Sequence, residues 1–382
     1  MIVRSTISPL IAITVVSVGI ASAAPFAYIP NSSSDTVSVI DIASNLVVKT
    51  IQTPGALLRH AVAISPQGTK AYVQGANAIY VIDTFRNTVA TLSVLGGTSI
   101  GLALNPSGSR LYALQGTTTT GQVCSINTAT NTNSGCVNVG AAPAGVAVSP
   151  DGTRAYVTNS NAASVSVVDT DANLVVATIP VGLDPWGVAV NRAGTRVYVT
   201  NLSSGTLSVI DSATNAVVDT VTVGAISPGV VVGRDDTRIY VSGSGAVSVI
   251  EAATNAVVGT IQVGASPIGI SITPKGDRLY VANYVSNNVS VIRTSDQTVI
   301  HTITVGQAPI AIGHFIGGGR LLDIDGDGEV FATTDMVLLL RWQLGFRGAA
   351  LIAGALALPD ATRKTAELVE AYLTQLDALG AP

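Results

Sequence analysis

Charged and aromatic residues are scarce in this chain. Asp, Glu, Lys and Arg make up 11% of its 382 residues, against about 25% in a typical soluble domain. The formal net charge is -4, and no basic cluster offsets it. Because proteins bind nucleic acids largely by neutralising phosphates, this composition argues against a nucleic-acid partner.

Cysteine and long apolar runs are also in short supply. The two cysteines, Cys124 and Cys136, form neither a CxxC redox motif nor a CxxCH haem motif. Their even number favours a disulfide in an exported chain, and they fall on neighbouring strands of one predicted hairpin. Beyond the N-terminus no run reaches the ~20 apolar residues that cross a bilayer. We therefore expect no membrane span in the mature chain.

The first 23 residues have the pattern of a secretory signal peptide. Arg4 supplies a positive charge, residues 7–20 are mostly apolar, and Ala21-Ser22-Ala23 is an A-x-A cleavage site. We expect cleavage after Ala23 and a protein that is secreted or held at the cell surface, with the periplasm as a further possible destination. The alternative is an uncleaved membrane anchor.

Tyrosine recurs through most of the chain at a nearly constant spacing. The seven repeating tyrosines are Tyr28, Tyr72, Tyr112, Tyr156, Tyr198, Tyr240 and Tyr280. Their spacing of 40 to 44 residues is typical of the four-stranded blade of a β-propeller. Around each tyrosine, four short runs alternate apolar and polar residues, which predicts four half-buried strands, a to d.

The two ends of the repeat are out of phase. The chain begins with a b strand at residues 26–31 and ends with an unpartnered a strand at residues 309–315. We expect this last a strand to complete the first blade, because closure removes an exposed sheet edge. The sequence thus predicts an all-β, seven-bladed β-propeller of four-stranded antiparallel blades over residues 24–316, closed by strand exchange.

One tetrapeptide motif recurs at the end of strand b. Its copies and near copies are Tyr156-Val157-Thr158-Asn159, Tyr198-Val199-Thr200-Asn201, Tyr280-Val281-Ala282-Asn283 and Tyr28-Ile29-Pro30-Asn31. Through these motifs, residues 25–317 resemble the YVTN-family β-propeller repeats. The resemblance implies a secreted or cell-surface propeller and names no activity. Gly75, Gln115 and Gly243 stand where three blades lose the Asn, so a function that needs a full ring of Asn is in doubt.

A Gly-rich linker at residues 317–322 ends the repeat, and an acidic pattern follows it. Asp323, Asp325 and Asp327 have the spacing of the carboxylates in an EF-hand-type calcium loop. Glu329 would add its backbone carbonyl, and Asp335 would supply the final acid, one residue later than in the usual loop. Calcium is the expected cofactor; the alternative is a solvated acidic turn.

Residues 323–382 resemble part of a dockerin module. The acidic loop is followed by an apolar run that ends at Gly345, as a calcium loop is followed by its exit helix in a dockerin. A second stripe at helical spacing consists of Val369, Tyr372, Leu373, Leu376 and Leu379. A full dockerin has two such loops and this chain has one. The resemblance implies a small α-helical, EF-hand-like appendage with a possible protein partner.

The predicted propeller offers few candidates for catalysis. His60, His301 and His314 are too scattered along the repeat to form a ligand set. The a strands, which line the channel of a propeller, contain almost only Gly, Ala, Val, Leu, Ile and Ser. We therefore predict no catalytic residue and a non-enzymatic, exported interaction or surface protein. The alternatives are an enzyme similar to the propeller lactonases or quinone-dependent dehydrogenases, and a dockerin-like assembly component.

Loops on one face of the propeller are the expected ligand site. The d-to-a connections and the b-to-c loops emerge together there, and Arg59, His60, Trp186 and Tyr284 are their bulky or ionisable members. An aromatic ring beside Asn and Ser can stack on a sugar or hold a peptide. We expect a protein or carbohydrate ligand on this face; the alternative is exposed loop without a ligand.

Calcium should order the C-terminal module. We expect a peptide of residues 317–382 to gain helical circular dichroism on addition of calcium, because metal–oxygen bonds would fix the loop from which the helix exits. Chelation should reverse the change. A spectrum that responds to neither treatment would contradict the metal site.

Overall fold

Seven antiparallel blades of four strands each form a ring in the computed structural model of the chain, and a fifth strand joins one of them in parallel. The structure describes residues 25–317, except 54–60, 76–77, 85, 93–100, 225 and 227, together with Glu370 and Thr374. The predicted signal peptide and the calcium loop lie outside the described residues. Within the part of the chain that the structure describes, no helix is long and apolar enough to cross a membrane.

Each blade runs outwards from strand a at the channel to strand d at the rim. Blade 1 contains β1 to β3, which are Phe26–Asn31, Thr36–Asp41 and Leu46–Gln52. Blade 2 contains β4 to β7, which are Ala61–Ile64, Lys70–Gln74, Ile79–Asp83 and Thr88–Leu92. Blade 3 contains β8 to β11, which are Leu102–Leu104, Arg110–Gly116, Gly121–Asn127 and Thr132–Val139. Blade 4 contains β12 to β15, which are Pro143–Val148, Arg154–Asn159, Ser164–Asp169 and Leu174–Pro180.

The remaining blades repeat the same order. Blade 5 contains β16 to β19, which are Pro185–Val190, Arg196–Asn201, Thr206–Asp211 and Ala216–Thr222. Blade 6 contains β20 to β23, which are Gly229–Val232, Arg238–Gly243, Ala246–Glu251 and Val257–Gln262. Blade 7 contains β24 to β27, which are Pro267–Ile272, Arg278–Asn283, Asn288–Arg293 and Thr298–Thr304. Two short strands follow, β28 at Ile312–His314 and β29 at Ile316–Gly317.

The core lies between blades rather than inside one of them. Strands b and c are buried on both faces because each sheet packs against two neighbours, whereas strand d is largely exposed. All seven repeating tyrosines are at most 4% exposed. The periodic tyrosines therefore lie in the buried interfaces between blades, and strands b and c are buried more fully than the half-buried strands that the alternation predicts.

The C-terminal end of the ring supplies strand a of blade 1. Strand β29 pairs antiparallel with the start of β1, and the Tyr28 amide donates to the Phe315 carbonyl at 2.9 Å. At the other end of the same strand, Pro309 bridges Asn31. The predicted strand exchange is confirmed, and the pairing extends to Gly317, which the sequence analysis places in the linker.

The closing strand is longer than its equivalents. Residues 309–315 span the same stretch of strand b that residues 143–147 span in blade 4. The additional residues form β28, which is not paired with β1 and instead pairs in parallel with β4 of blade 2. Gly313 makes this possible with a φ of +99°, and a Cβ there would lie 2.6 Å from the Val62 carbonyl oxygen. A larger residue at Gly313 would therefore displace β28.

The predicted disulfide is confirmed in blade 3. Cys124 and Cys136 face each other across β10 and β11 with their Cα atoms 4.0 Å apart. At the C-terminus, Glu370 and Thr374 are helical, and the Thr374 hydroxyl donates to the Glu370 carbonyl at 2.8 Å. The rest of the predicted helical appendage lies outside the described residues.

Alkaline pH should unfold the propeller. Burial raises the pKa of Tyr72 and Tyr280 from 10.0 to about 12, and it raises the pKa of Tyr28 as well. The folded chain therefore binds these phenol protons more tightly than the unfolded chain does. The resulting stabilisation is fully present below about pH 10 and is lost as the pH rises through about 12. We expect tyrosinate absorbance to appear together with the loss of β-sheet circular dichroism.

Tyr72→Phe provides the matched control, because it removes one of these protons and keeps the ring in place. The variant should fold at neutral pH and unfold at a higher pH than the parent chain. Full ionisation of the tyrosines while the sheet signal persists would contradict the expectation.

Candidate binding faces and the central channel

The propeller has two faces of different construction. The loop face carries the b-to-c loops and the d-to-a connections, and the turn face carries the a-to-b and c-to-d turns. In blade 7 the Tyr284 amide donates to the Ser266 carbonyl at 2.9 Å, and the Val285 amide donates to the Ala265 carbonyl at 3.2 Å. These bonds bring the two kinds of loop together, as the sequence analysis expects.

Charge is distributed unevenly between the two faces. Among the described residues, Asp35 and Asp184 are the only charged side chains on the loop face. Ser160 donates to the Asp184 carboxylate at 2.6 Å, so this charge is tied to the neighbouring blade. The other described residues of the loop face are Ser, Thr, Asn, Gln, Gly and apolar residues.

The turn face carries charges that hold the ring together. At the start of strand b, Arg154 donates to the Ser212 carbonyl of the next blade at 2.7 Å. Arg110 and Arg278 do the same at 2.8 Å, to the c-to-d turns of blades 4 and 1. These hydrogen bonds join adjacent blades, so much of the charge on this face is structural.

The Asn of the repeated motif is also structural. Its four copies, all fully buried, are Asn31, Asn159, Asn201 and Asn283. In blade 5, Asn201 Nδ2 donates to Thr206 Oγ1 at 3.0 Å and to Ser208 Oγ at 2.9 Å, which ties strand b to strand c. Gly182 of the d-to-a connection packs on the same amide, where a Cβ would lie 2.7 Å from Asn201 Cγ. The motif therefore secures the loops and does not present an amide to a ligand.

Two of the four sequence-predicted ligand residues lie on the loop face within the described chain. Trp186 and Tyr284, both half-buried, belong to blades 5 and 7, with blade 6 between them. Trp186 occupies the bulge at the start of β16, and its carbonyl accepts a hydrogen bond from Thr158 at 2.7 Å. Arg59 and His60 lie outside the described residues.

Three exposed aliphatic side chains join these aromatics. Leu183, Ile226 and Val285 are 62%, 68% and 60% exposed. They lie on loop-face connections of blades 5, 6 and 7, whereas the other large apolar side chains exposed in the described chain lie on outer strands d. We call Leu183, Trp186, Ile226, Tyr284 and Val285 the apolar arc. Sequence reasoning missed its aliphatic members, although each interrupts a loop of small and polar residues.

A cavity of about 550 Å³ occupies the central channel. The innermost strands line it with short side chains: Ala63, Ala103, Ala147, Ala189, Val231 and Ser271. His314 of β28 is exposed on its wall, and Arg192 and Arg234 stand at its turn-face mouth. Asp236 is the fourth ionisable lining residue. Within the described residues, no group of three or more His, Cys, Asp or Glu is arranged to hold a metal ion.

The ring of seven four-stranded blades defines the chain as a β-propeller protein. No family model and no curated protein matches the chain. Among solved structures it is similar to hydrazine synthase from Kuenenia stuttgartiensis, with a TM-score of 0.60 and 19% identity over 68% of this chain and 89% of that one.

The chain is also similar to a functionally unknown protein from Desulfotomaculum acetoxidans DSM 771, with a TM-score of 0.65 and 16% identity over 75% of this chain and 99% of that one. Similarity at such identities shows the fold alone, because propellers host unrelated functions. The YVTN and dockerin resemblances continue to rest on their short motifs.

Proposed function

We propose that this chain is an exported, non-enzymatic binding protein whose loop face docks a protein partner. The apolar arc is the observation that carries the proposal. Its exposed side chains lie on three consecutive blades of a face whose described residues include only two charged side chains. Large exposed apolar side chains concentrated on one face, with polar neighbours, are a feature of interaction surfaces. Aliphatic side chains suit a protein interface better than a sugar, which stacks on aromatic rings.

The positions of the chain ends support this orientation. Strand β1 begins at the turn face, and β29 ends there, because Phe26 at the start of β1 pairs with Gly317 at the end of β29. A segment that precedes or follows the ring is therefore attached at the turn face, opposite the apolar arc. We propose that such a segment is the C-terminal module, with calcium bound by Asp323, Asp325 and Asp327, and that it acts as a separate dockerin-like docking unit.

Export is supported by two features of different origin. The N-terminal pattern is that of a cleaved signal peptide, and the Cys124–Cys136 disulfide belongs to the kind of bond that persists in oxidising compartments. We therefore propose a secreted or cell-surface location, with the YVTN-family propellers as the closest description of the repeat.

The chemistry of the channel favours binding over catalysis. Its four ionisable lining residues are set among short apolar side chains. The Asp236 carboxylate is already occupied, since it accepts the Arg192 amide at 2.8 Å and the Ala193 amide at 2.9 Å. This arrangement leaves no evident pair of general acid and base, which the rival hypothesis of a propeller enzyme requires.

Polar substitution of the apolar arc should abolish partner binding. In an array of extracellular proteins and glycans, we expect the parent propeller to bind protein targets and Leu183→Ser with Ile226→Asn to lose at least about tenfold in affinity, because buried anchors dominate interface energy. Asn suits position 226 because Ile226 has a φ of +56°.

The matched control is Val176→Ser with Val258→Ser, which removes side chains that are 48% and 47% exposed on outer strands. This control should bind like the parent, and all variants should melt at similar temperatures. Equal loss in both double variants, or binding to glycans alone, would refute the proposed protein-docking face.

A further inference from the structure

Six a-to-b turns surround the turn-face mouth of the central channel. The second residue of the turn is proline in four of them, Pro66, Pro106, Pro150 and Pro274. The other two turns carry Arg192 and Arg234. Since blades 5 and 6 are adjacent, the two arginines stand side by side on one arc of the mouth, and both line the cavity.

Four of these second residues, Pro66, Pro106, Pro150 and Arg234, lie against the turn of the next blade. A Cβ on Gly108 would lie 2.8 Å from Pro66 Cδ, and a Cβ on Gly276 would lie 3.0 Å from Arg234 Cβ and Cγ. The aliphatic stem of Arg234 thus fills the place of a proline ring, while its guanidinium adds a charge that the prolines lack. Replacement of proline by arginine therefore changes the chemistry of the mouth while the packing of the rim is kept.

Asp236, in the turn of Arg234, holds the neighbouring turn of Arg192. It takes the position that glycine holds in the other turns, with a φ of +56°. Its carboxylate accepts the backbone amides of Arg192 and Ala193, so it fixes the turn that carries Arg192. The side chain of Arg192 is exposed. Among the residues that line the cavity here, two are arginines and one is an aspartate, Asp236; the neighbouring Asp235, which accepts the Thr237 amide at 3.1 Å, does not line it.

The interior of the channel has the opposite character. Its wall is formed mainly by alanine, valine, leucine and isoleucine side chains of the innermost strands, and His314 is its ionisable member on the side of blades 1 and 2. With about 550 Å³, the cavity is within the roughly 300–1,000 Å³ of small-molecule sites. An apolar interior with a cationic rim is complementary to a molecule with an apolar tail and an anionic head.

We infer that the channel binds an amphipathic carboxylate, with its head group on Arg192 and Arg234 and an unbranched alkyl tail between the innermost strands. The planar guanidinium matches a carboxylate with two parallel hydrogen bonds. Each methylene of the tail leaves water for the apolar wall. Because the mouth opens on the turn face, this inference is independent of the proposed loop-face interaction.

Calorimetric titration of the full chain with dodecanoate below its micelle concentration tests the inference. We expect saturable binding of one equivalent. Arg192→Gln with Arg234→Gln should weaken it at least tenfold, because the head group loses both cations. Lys275→Gln is the matched control: it removes a cation from the neighbouring turn of blade 7 that does not line the cavity, and it should bind like the parent.

The alkyl tail is tested separately from the head. Ala147→Leu narrows the channel at a distance from the arginines. It should lower the affinity for dodecanoate at least tenfold and leave the melting temperature close to that of the parent. Ala189→Leu serves in its place if the first variant fails to fold.

Several results would overturn the inference. If acetate binds as tightly as dodecanoate, the site recognises an anion and not an alkyl tail. If dodecyltrimethylammonium binds as tightly as dodecanoate, the alkyl tail binds without recognition of an anionic head group. Absence of dodecanoate binding, or unchanged affinity in the double arginine variant, would also refute it.

Discussion

The pairing of the closing strand with β1 is the constraint on which the rest of the structure depends. A blade with two apolar faces has no stable surface of its own, so each sheet needs a neighbour on both sides. Six junctions follow from the order of the chain, and the seventh exists only because residues 309–317 return to blade 1. The core shared by blades 7, 1 and 2, which includes Phe315, is built at this junction.

Closure also determines what each face can do. Since the chain enters and leaves the ring at the turn face, that face carries the attachments. The same face carries the arginine hydrogen bonds between blades and the cationic mouth of the channel. In the part of the chain that the structure describes, the loop face is nearly uncharged and carries the apolar arc on blades 5 to 7. The closing strand further shapes the channel, because its additional residues place β28 and His314 on the wall.

Much of this fold is predictable from the sequence, because each blade needs the same four strands and the same buried tyrosine. The pattern therefore recurs seven times along the chain. The tyrosine period, the strand order, the exchange closure and the cysteine pair all follow from it. The pairing of β28 is not predictable in this way. It depends on β4 of blade 2, which lies near β28 only in the closed ring. Arg192 and Arg234 are visible as departures from proline, but their meeting at one cavity depends on blade geometry. The structural role of the motif Asn is likewise not predictable from the motif, because it depends on hydrogen bonds to hydroxyl groups of strand c.

Truncation at the closing strand tests the central claim most directly. Two chains would be compared by thermal unfolding, one ending at residue 319 and one ending at residue 308. We expect the first to melt cooperatively at the temperature of the full chain. The second should lose that transition, because blade 1 would lack its innermost strand. Equal melting of both chains would contradict closure by strand exchange as the basis of the fold.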